Sequence, residues 1–407
     1  MITSQTERQR VKKLKIFIST GEVSGDLQGA LLIKSLDRYA LTQGIALEIT
    51  GLGGDRMSQT GATILADTTT ISSIGILESL PHVLATLQLQ RQAKRHLQTY
   101  PPDIVILIDY FGPNLGIGGF TRKYFPKVPI VYYIAPQEWV WSLSDRNTQR
   151  ILRMSDRLLA IFKGEAEYYQ KKGGSVTWVG HPLVDCMATA PTRLQARQAL
   201  GIASDQLAIA LIPASRQQEI KYVLPIIFAA AQQIQAKLPH VHFWIPLSLE
   251  NYREPLEHAI RQYGLQATLV SKQSYSSQTV IAAADLAIAK SGTVNLETAL
   301  LDVPQVITYR LNDITAWIAK HILKLTISFA SPPNLVLMEE VVPELLQTDA
   351  TPERIAQEAL EILSNPERRA KMLAGYQRMR QELGAVGVCD RAAEEIFGMV
   401  QQVSDRE

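Results

Sequence analysis

The residues in this chain that could do chemistry stand at the ends of short apolar runs. In ILIDYFGPNLGI, residues 106 to 117, such a run delivers Asp109, and glycine and proline then break the chain before Asn114. A carboxylate placed there acts as a general base when its surroundings are dry and a hydroxyl is in reach, and it equally serves to cap the turn that follows. In IPASRQQEI, residues 212 to 220, a turn made with Pro213 and Ala214 leads to Ser215, Arg216 and Glu219. A helix starting here aims its N–H groups outward with Arg216 able to fork onto a diphosphate, while a capping box from Ser215 accounts for the same residues. In AIAKSGTVNLETALLDVPQV, residues 287 to 306, Ser291, Gly292 and Thr293 open a helix. Three small residues there let backbone amides approach a phosphate, and Glu297, one turn on, is placed to take a ribose diol.

A further stretch, FISTGEVSGDLQGALLI at residues 17 to 33, has the look of a phosphate loop and fails as one. Its glycines, Gly21, Gly25 and Gly29, are spaced G-x-x-x-G-x-x-x-G, which is not the dinucleotide fingerprint, so a nicotinamide or flavin site is not supported. Glu22 and Asp26 compete with a phosphate at a helix start and suit hydroxyls or amines better. The glycines would then let the chain come close to a polyhydroxylated ligand, or else serve only the turn and the packing of helix on strand. Downstream, YYIAPQEWVWSLSDRNTQRI sets Trp139 and Trp141 after another apolar run, flat surfaces that fit sugar faces or acyl chains and fit packing equally well.

The elements that must position these residues are strands. Continuous apolar runs at 15–19, 46–50, 103–108, 129–134, 157–162 and 176–179, then at 207–212, 241–246, 267–270, 285–289 and 305–308, alternate with helical segments. Runs without polar alternation belong to strands buried on both faces, hence to parallel sheets covered by helices. The expectation is an α/β protein of two doubly wound, Rossmann-like domains, with the candidate residues at the carboxyl ends of their strands. Residues 1–188 would form the first domain and 189–365 the second. Residues 366–407 read as helices, for which packing back on the first domain is left open. A chain of 407 residues exceeds the size at which one core stops growing, which fits the division.

Composition excludes more than it selects. A net charge of +2 gives no electrostatic case for nucleic acid, and 46% hydrophobic with 20% charged residues is ordinary for a globular protein. Cys186 and Cys389 have no ligand-spaced neighbours and read as packing residues in a reducing compartment. No apolar run reaches membrane-spanning length, so a cytoplasmic protein is expected. Contact with a membrane surface stays open through two amphipathic stretches. One carries Ile76, Leu80, Val83, Leu84 and Leu87 before Arg91, Lys94, Arg95 and His96; the other, residues 312–325, carries Trp317, Ile318, Ile322 and Leu325 with Lys320, His321 and Lys324. Such helices also pack on their own sheet.

Taken in order, GEVSGD, GILES, IDYFGPN, APQEWVW, GHPL, IPASR, SGTVNLE, VITYR and SPPNLVL resemble the lipid-A-disaccharide synthase family over nearly the whole chain. The resemblance implies the glycosyltransferase B fold, two domains facing a cleft. It also implies transfer of 2,3-diacylglucosamine from its UDP donor to 2,3-diacylglucosamine 1-phosphate, with inversion, release of UDP and no metal or other cofactor. On matching positions it implies catalytic roles for Asp109, Glu22 and Asn114. Acceptor-side binding would fall to Ser24, Asp26, Trp139, Trp141 and His181. UDP would be held by Arg216, Glu219, Ser291, Gly292, Thr293, Glu297, Tyr309, Arg310 and Asn334. The implied partners are a UDP-activated acylated sugar, a lipid acceptor and the cytoplasmic face of the inner membrane, where the protein would sit peripherally; a second copy of the chain is left open, and no nucleic acid is expected.

The chain departs from the family's usual pattern in places. DYFGPN stands where DxPDFN is usual, so that Gly112 replaces an aspartate; PQEWVW stands for PSxWAW, bringing in Glu138; and Ala214 replaces the glycine of LPGSR. The donor-side motifs keep closer to pattern than the acceptor-side ones. Two other readings are therefore carried: a divergent UDP-sugar-dependent transferase acting on another lipid acceptor, and a non-catalytic nucleotide-sugar-binding protein. Retention of Asp109 with Arg216 and Glu297 speaks against the second.

Overall fold

The computed structural model describes residues 12–69, 83–141, 145–311 and 329–404. They fall into two compact units, Met1–Pro182 with Gly387–Glu407, and Leu183–Val386.

The first unit is built on a seven-stranded parallel sheet: β1 (Lys12–Thr20), β2 (Ile45–Gly53), β3 (Thr63–Asp67), β4 (Ile104–Ile108), β5 (Ile130–Tyr133), β6 (Arg157–Ala160) and β7 (Val176–Trp178), in the order β3-β2-β1-β4-β5-β6-β7. The all-apolar β4 (IVILI) and β5 (IVYY) are buried at every position, because helices cover both faces of the sheet. Phe17, Val105, Leu107, Ile117, Tyr132 and Ile151 form the heart of one such layer. The order of strands reverses between β1 and β4, and in a doubly wound sheet this is where a crevice opens at the carboxyl ends. The register places Thr20 beside Ile108, so the segments starting at Gly21 and Asp109 leave the sheet side by side.

The second unit repeats the plan with β8 (Ala208–Ile212), β9 (His242–Leu247), β10 (Ala267–Ser271), β11 (Leu286–Lys290), β12 (Gln305–Tyr309) and β13 (Glu344–Leu346), in the order β10-β9-β8-β11-β12-β13. Here the reversal lies between β8 and β11. Ile212 pairs with Ala289, which brings the segment of Arg216 and Glu219 next to that of Ser291 to Thr293.

The expected boundaries need adjusting. The chain leaves the first unit at Pro182 rather than at residue 188, since the helix Leu183–Met187 packs on the helix Val294–Leu300 of the second unit. The C-terminal helices do not act as one block. Pro366–Leu383 belongs to the second unit, where the buried Tyr376 hydroxyl donates to the Val303 carbonyl (3.2 Å). Val388–Ser404 belongs to the first and lies on the helix Glu22–Thr42 through Tyr39 against Phe397 (4.7 Å between rings) and an Arg38–Asp390 ion pair (2.5 Å).

Among the described residues no helix is long and apolar enough to cross a membrane. The helix Val83–Thr99 buries Ala93 and Leu97 completely in its own unit while Leu87 stays 45% exposed. Ile76 and Leu80 lie outside the described residues, as does the whole amphipathic stretch 312–325.

Candidate functional site

At the β1/β4 reversal the backbone is held in an unusual state. Glu22, Asp109, Tyr110 and Ile134, which follow the adjacent strands β1, β4 and β5, all have positive φ (62°, 47°, 48° and 61°). For non-glycine residues the left-handed region costs about 1–2 kcal/mol each, so such a cluster persists only where surrounding bonds impose it. Those bonds are present. Asn114 Nδ2 donates to the carbonyls of Ile108 (3.0 Å) and Asp109 (2.7 Å), Tyr132 donates its hydroxyl to the Asp109 carbonyl (2.8 Å), and the Asp109 amide donates to the Ile134 carbonyl (3.1 Å). Asn114 Oδ1 accepts from the buried Ser19 hydroxyl (2.7 Å). Asn114, expected in a catalytic role, is fully buried with both ends of its amide engaged, and it sets the backbone of Asp109.

The Asp109 side chain is only partly exposed, and burial, reinforced by the nearby Glu22 charge, pushes its carboxyl up to about 6 against a weaker opposing bond from the Tyr110 amide. A carboxylate poised there is ionised at neutral pH and still basic enough to take a proton from a hydroxyl. Glu22 is partly exposed at the first residue of its helix, and Ser24 is exposed two residues on.

Asp26 does not face outward. It is 3% exposed, and its carboxylate accepts from the amides of Gly54 (2.8 Å), Met57 (3.1 Å) and Arg56 (3.1 Å), capping the turn that follows β2. Asp26, expected among the acceptor-binding residues, thus spends both carboxylate oxygens on the backbone. The glycines of the same stretch serve the fold rather than a ligand. A Cβ on Gly21 would stand 2.3 Å from the Tyr110 ring, and one on Gly25 1.9 Å from Thr20 Oγ1, so both are close approaches of the chain to itself.

The segments that follow β5, β6 and β7 carry an aromatic stack. Trp139 packs on Phe162 (5.7 Å) and Phe162 on His181 (5.2 Å). Burial pushes the His181 imidazole down to about 3, which keeps it neutral. Trp141 closes the short helix Glu138–Trp141, and its side chain lies outside the described residues. The turn bearing Phe162 is fixed by Glu165, whose Oε2 accepts from the amides of Ile161 (2.9 Å) and Phe162 (3.3 Å). Glu165 is 1% exposed, and burial, with a smaller push from Asp109, raises it to about 8. Sequence reasoning missed it; the signal was an acid three residues after the apolar run of β6, a capping pattern.

At the β8/β11 reversal, Glu219 organises the loop. It is 2% exposed, and its Oε2 accepts from the Ser215 amide (2.6 Å), the Arg216 amide (3.0 Å) and the Ser215 hydroxyl (3.2 Å). Its Oε1 lies 3.3 Å from Lys290 Nζ and 3.8 Å from Arg216 Nη1. Glu219, expected at the UDP, thus holds the loop amides and stands beside two cations. Lys290, the last residue of β11, lies one residue past the run 285–289 read as a strand and was given no role in the sequence reading. Tyr252 and Tyr309 join the cluster: burial raises both phenols, and both feel the charges of Glu219 and Arg216.

Of the small residues, Ser291 and Gly292 are already engaged. The Ser291 amide donates to the Thr308 carbonyl (3.1 Å), its hydroxyl to the Ala330 carbonyl (3.0 Å), and the Gly292 amide to Asn295 Oδ1 (2.7 Å). Their amides, expected to meet a phosphate, are taken up in the turn; Thr293 is exposed at the helix start and Glu297 partly exposed one turn on. Arg310 is exposed just beyond β12. Asn334 is fully buried: Oδ1 accepts from the amides of Val341 (2.9 Å) and Val342 (3.0 Å), and Nδ2 donates to the Val342 carbonyl (3.0 Å) and to Glu344 (3.2 Å). Asn334, expected to contact UDP, thus spends its amide on the fold. Among the described residues no group of three or more His, Cys, Asp and Glu is placed to hold a metal ion.

The fold and the two residue clusters can now be set beside known proteins. A UDP-GlcNAc 2-epimerase from Neisseria meningitidis, solved bound to UDP-GlcNAc, aligns with a TM-score of 0.65 at 14% identity, covering 95% of this chain and 100% of that one. A glycosyltransferase from Rickettsia africae aligns with a TM-score of 0.55 at 12% identity, covering 96% and 99%. At such identities the likeness shows the fold alone, the glycosyltransferase B fold. Sequence relatives go further. A lipid-A-disaccharide synthase of Gloeothece citriformis is 59% identical over 387 residues, 95% of this chain and 100% of the relative. One of Synechocystis is 51% identical over 385 residues, 94% and 97%. Residues 16–396 match the sequence model of the lipid-A-disaccharide synthetases, a span that runs from β1 into the last helix and takes in both reversals, and the chain belongs to that family.

Proposed function

We infer that this chain is a lipid-A-disaccharide synthase: a glycosyltransferase that joins the 2,3-diacylglucosamine of a UDP donor to 2,3-diacylglucosamine 1-phosphate and releases UDP. The observation that carries the chemistry is Asp109, held at the carboxyl end of β4 with its carboxyl raised to about 6 beside Glu22. Asp109 takes the proton of the acceptor's primary hydroxyl as that oxygen attacks the anomeric carbon. The bond from that carbon to the diphosphate breaks, its electron pair leaves with UDP, and a single displacement inverts the anomeric centre. Charge growing on the departing diphosphate is offset by Arg216, so that this account needs neither a metal ion nor another cofactor. Acceptor contacts fall to the exposed Ser24 and to the Trp139 side of the aromatic stack; Arg310 and Tyr309 border the donor side.

Both substrates carry acyl chains, which supports work at the cytoplasmic surface of the inner membrane. The exposed Arg91 and Arg95 and the exposed Leu87 on the helix Val83–Thr99 offer a basic and apolar contact to an anionic lipid surface. The test is Asp109→Asn assayed two ways. UDP affinity stays unchanged within about twofold while transfer falls at least about a hundredfold, the scale of a lost general base. Undiminished transfer removes Asp109 from the mechanism.

A further inference from the structure

Lys290 takes no step in the transfer described above, yet its placement is costly. Its side chain is 8% exposed at the end of β11, in a loop whose other strongly charged members are Glu219 and Arg216. Among the described residues, Glu219 is the carboxylate within ion-pair distance of it, at 3.3 Å. That carboxylate is oversubscribed. One oxygen is taken by two amides and a hydroxyl, and the other is shared between Lys290 and Arg216 at 3.3 and 3.8 Å. A single carboxylate so divided cannot fully offset a buried ammonium, and a buried charge short of its counter-charge is expensive. Burial accordingly pushes the Lys290 ammonium down, and the Arg216 charge adds to that push against the pull of Glu219. The arrangement makes sense where an anion completes it.

The ammonium lies over the turn at Gly292. A Cβ on Gly292 would come within 2.8 Å of Lys290 Nζ, so the glycine keeps the space over its own turn open for the lysine. Lys290 and Arg216 thus flank one loop from two strands that are neighbours in the sheet. We propose that Lys290 binds the diphosphate of the donor and of the released UDP, turning from Glu219 to the phosphate oxygens when the nucleotide arrives. The inference deepens the transferase reading and rests on it. With Arg216 it divides the labour: Arg216 is the more exposed cation, at 35%, and forks onto the diphosphate from outside, while Lys290 supplies charge from beneath.

The experiment is calorimetric titration of the full chain with UDP and with uridine. In Lys290→Met, a near match in length, Glu219 keeps Arg216 and the loop amides, so no carboxylate is stranded. UDP binding weakens by about 10- to 100-fold, while uridine binding changes by less than about twofold. Lys221→Met, removing the same charge from an exposed position on the helix Gln217–Tyr222, leaves both affinities within about twofold. Lys290→Arg restores most of the preference for UDP over uridine. If the methionine variant does not fold, Lys290→Gln, which keeps a polar group against Glu219, takes its place. A variant that binds UDP as tightly as the parent, or that loses UDP and uridine equally, overturns the inference. Failure of the unsubstituted protein to bind UDP at all is a different result, and it overturns the donor-site reading itself.

Discussion

Asp109 should destabilise the protein it serves, and the size of that penalty follows from the structure. Its carboxyl is raised from 3.8 to about 6 by burial and by Glu22. A raised acid means that the folded state holds the proton more tightly than the unfolded chain does. Stability from this group is therefore complete below about pH 4 and is lost as pH rises through 6. At about 1.36 kcal/mol per unit, the shift amounts to about 3 kcal/mol of lost stability at pH 8 and about half of that at pH 5. Asp109→Asn removes the charge with almost no change of shape, and asparagine tolerates the left-handed backbone at φ 47° that the position demands. Unfolding in guanidinium followed at pH 8 should show the first unit of the variant more stable by about 2–3 kcal/mol, with the advantage shrinking by about half at pH 5. The same variant should be nearly inactive. A gain that does not depend on pH would trace to packing and would refute the electrostatic argument. No gain at pH 8 would mean that the carboxylate is not held in a dry, acid-flanked place and would leave Asp109 without the basicity assigned to it.

Other consequences are simpler to read. In Glu22→Gln the like charge beside Asp109 disappears, so the acid limb of kcat/KM, which falls below about pH 6 in the parent, should move to lower pH; an unmoved limb separates the two carboxylates. Asp26→Ala strips the acceptor from three backbone amides and should cost about 1–3 kcal/mol in stability, with KM for the acceptor unchanged within about twofold. A raised acceptor KM at full stability would return Asp26 to the binding site.

Much of the scaffold was readable because burial on both faces leaves continuous apolar runs. IVILI, IVYY and AIALI announce strands whatever surrounds them, and the candidate chemistry stood at their carboxyl ends as the doubly wound plan requires. The strands that escaped, β3 and β13, lie at sheet edges. TILAD is exposed at both ends and only half-buried between, and ELL is three residues long, so neither shows the run that marks a central strand. Side-chain roles were harder to read. Asp26, Asn114, Glu219 and Asn334 carry the residue types of a site, yet each spends polar atoms on backbone groups, Asp26 on a loop well away in the chain and the other three on their own turns. Spacing along the chain cannot separate an acid facing a ligand from one capping a loop 28 residues away, as Asp26 caps Gly54. Lys290 escaped for the opposite reason. Four aliphatic residues before it make it look like the end of a strand, and only the pairing of β11 with β8 brings it to Glu219.

The central claim is that one chain, with Asp109 as base, transfers an acylated sugar from UDP to an acylated sugar phosphate. Mass spectrometry of the products formed from UDP-2,3-diacylglucosamine and 2,3-diacylglucosamine 1-phosphate tests it most directly. The account predicts the tetraacylated disaccharide 1-phosphate and UDP in equal amounts, with both nearly absent in Asp109→Asn. Folded protein that binds UDP and yet forms no disaccharide from this pair would contradict it.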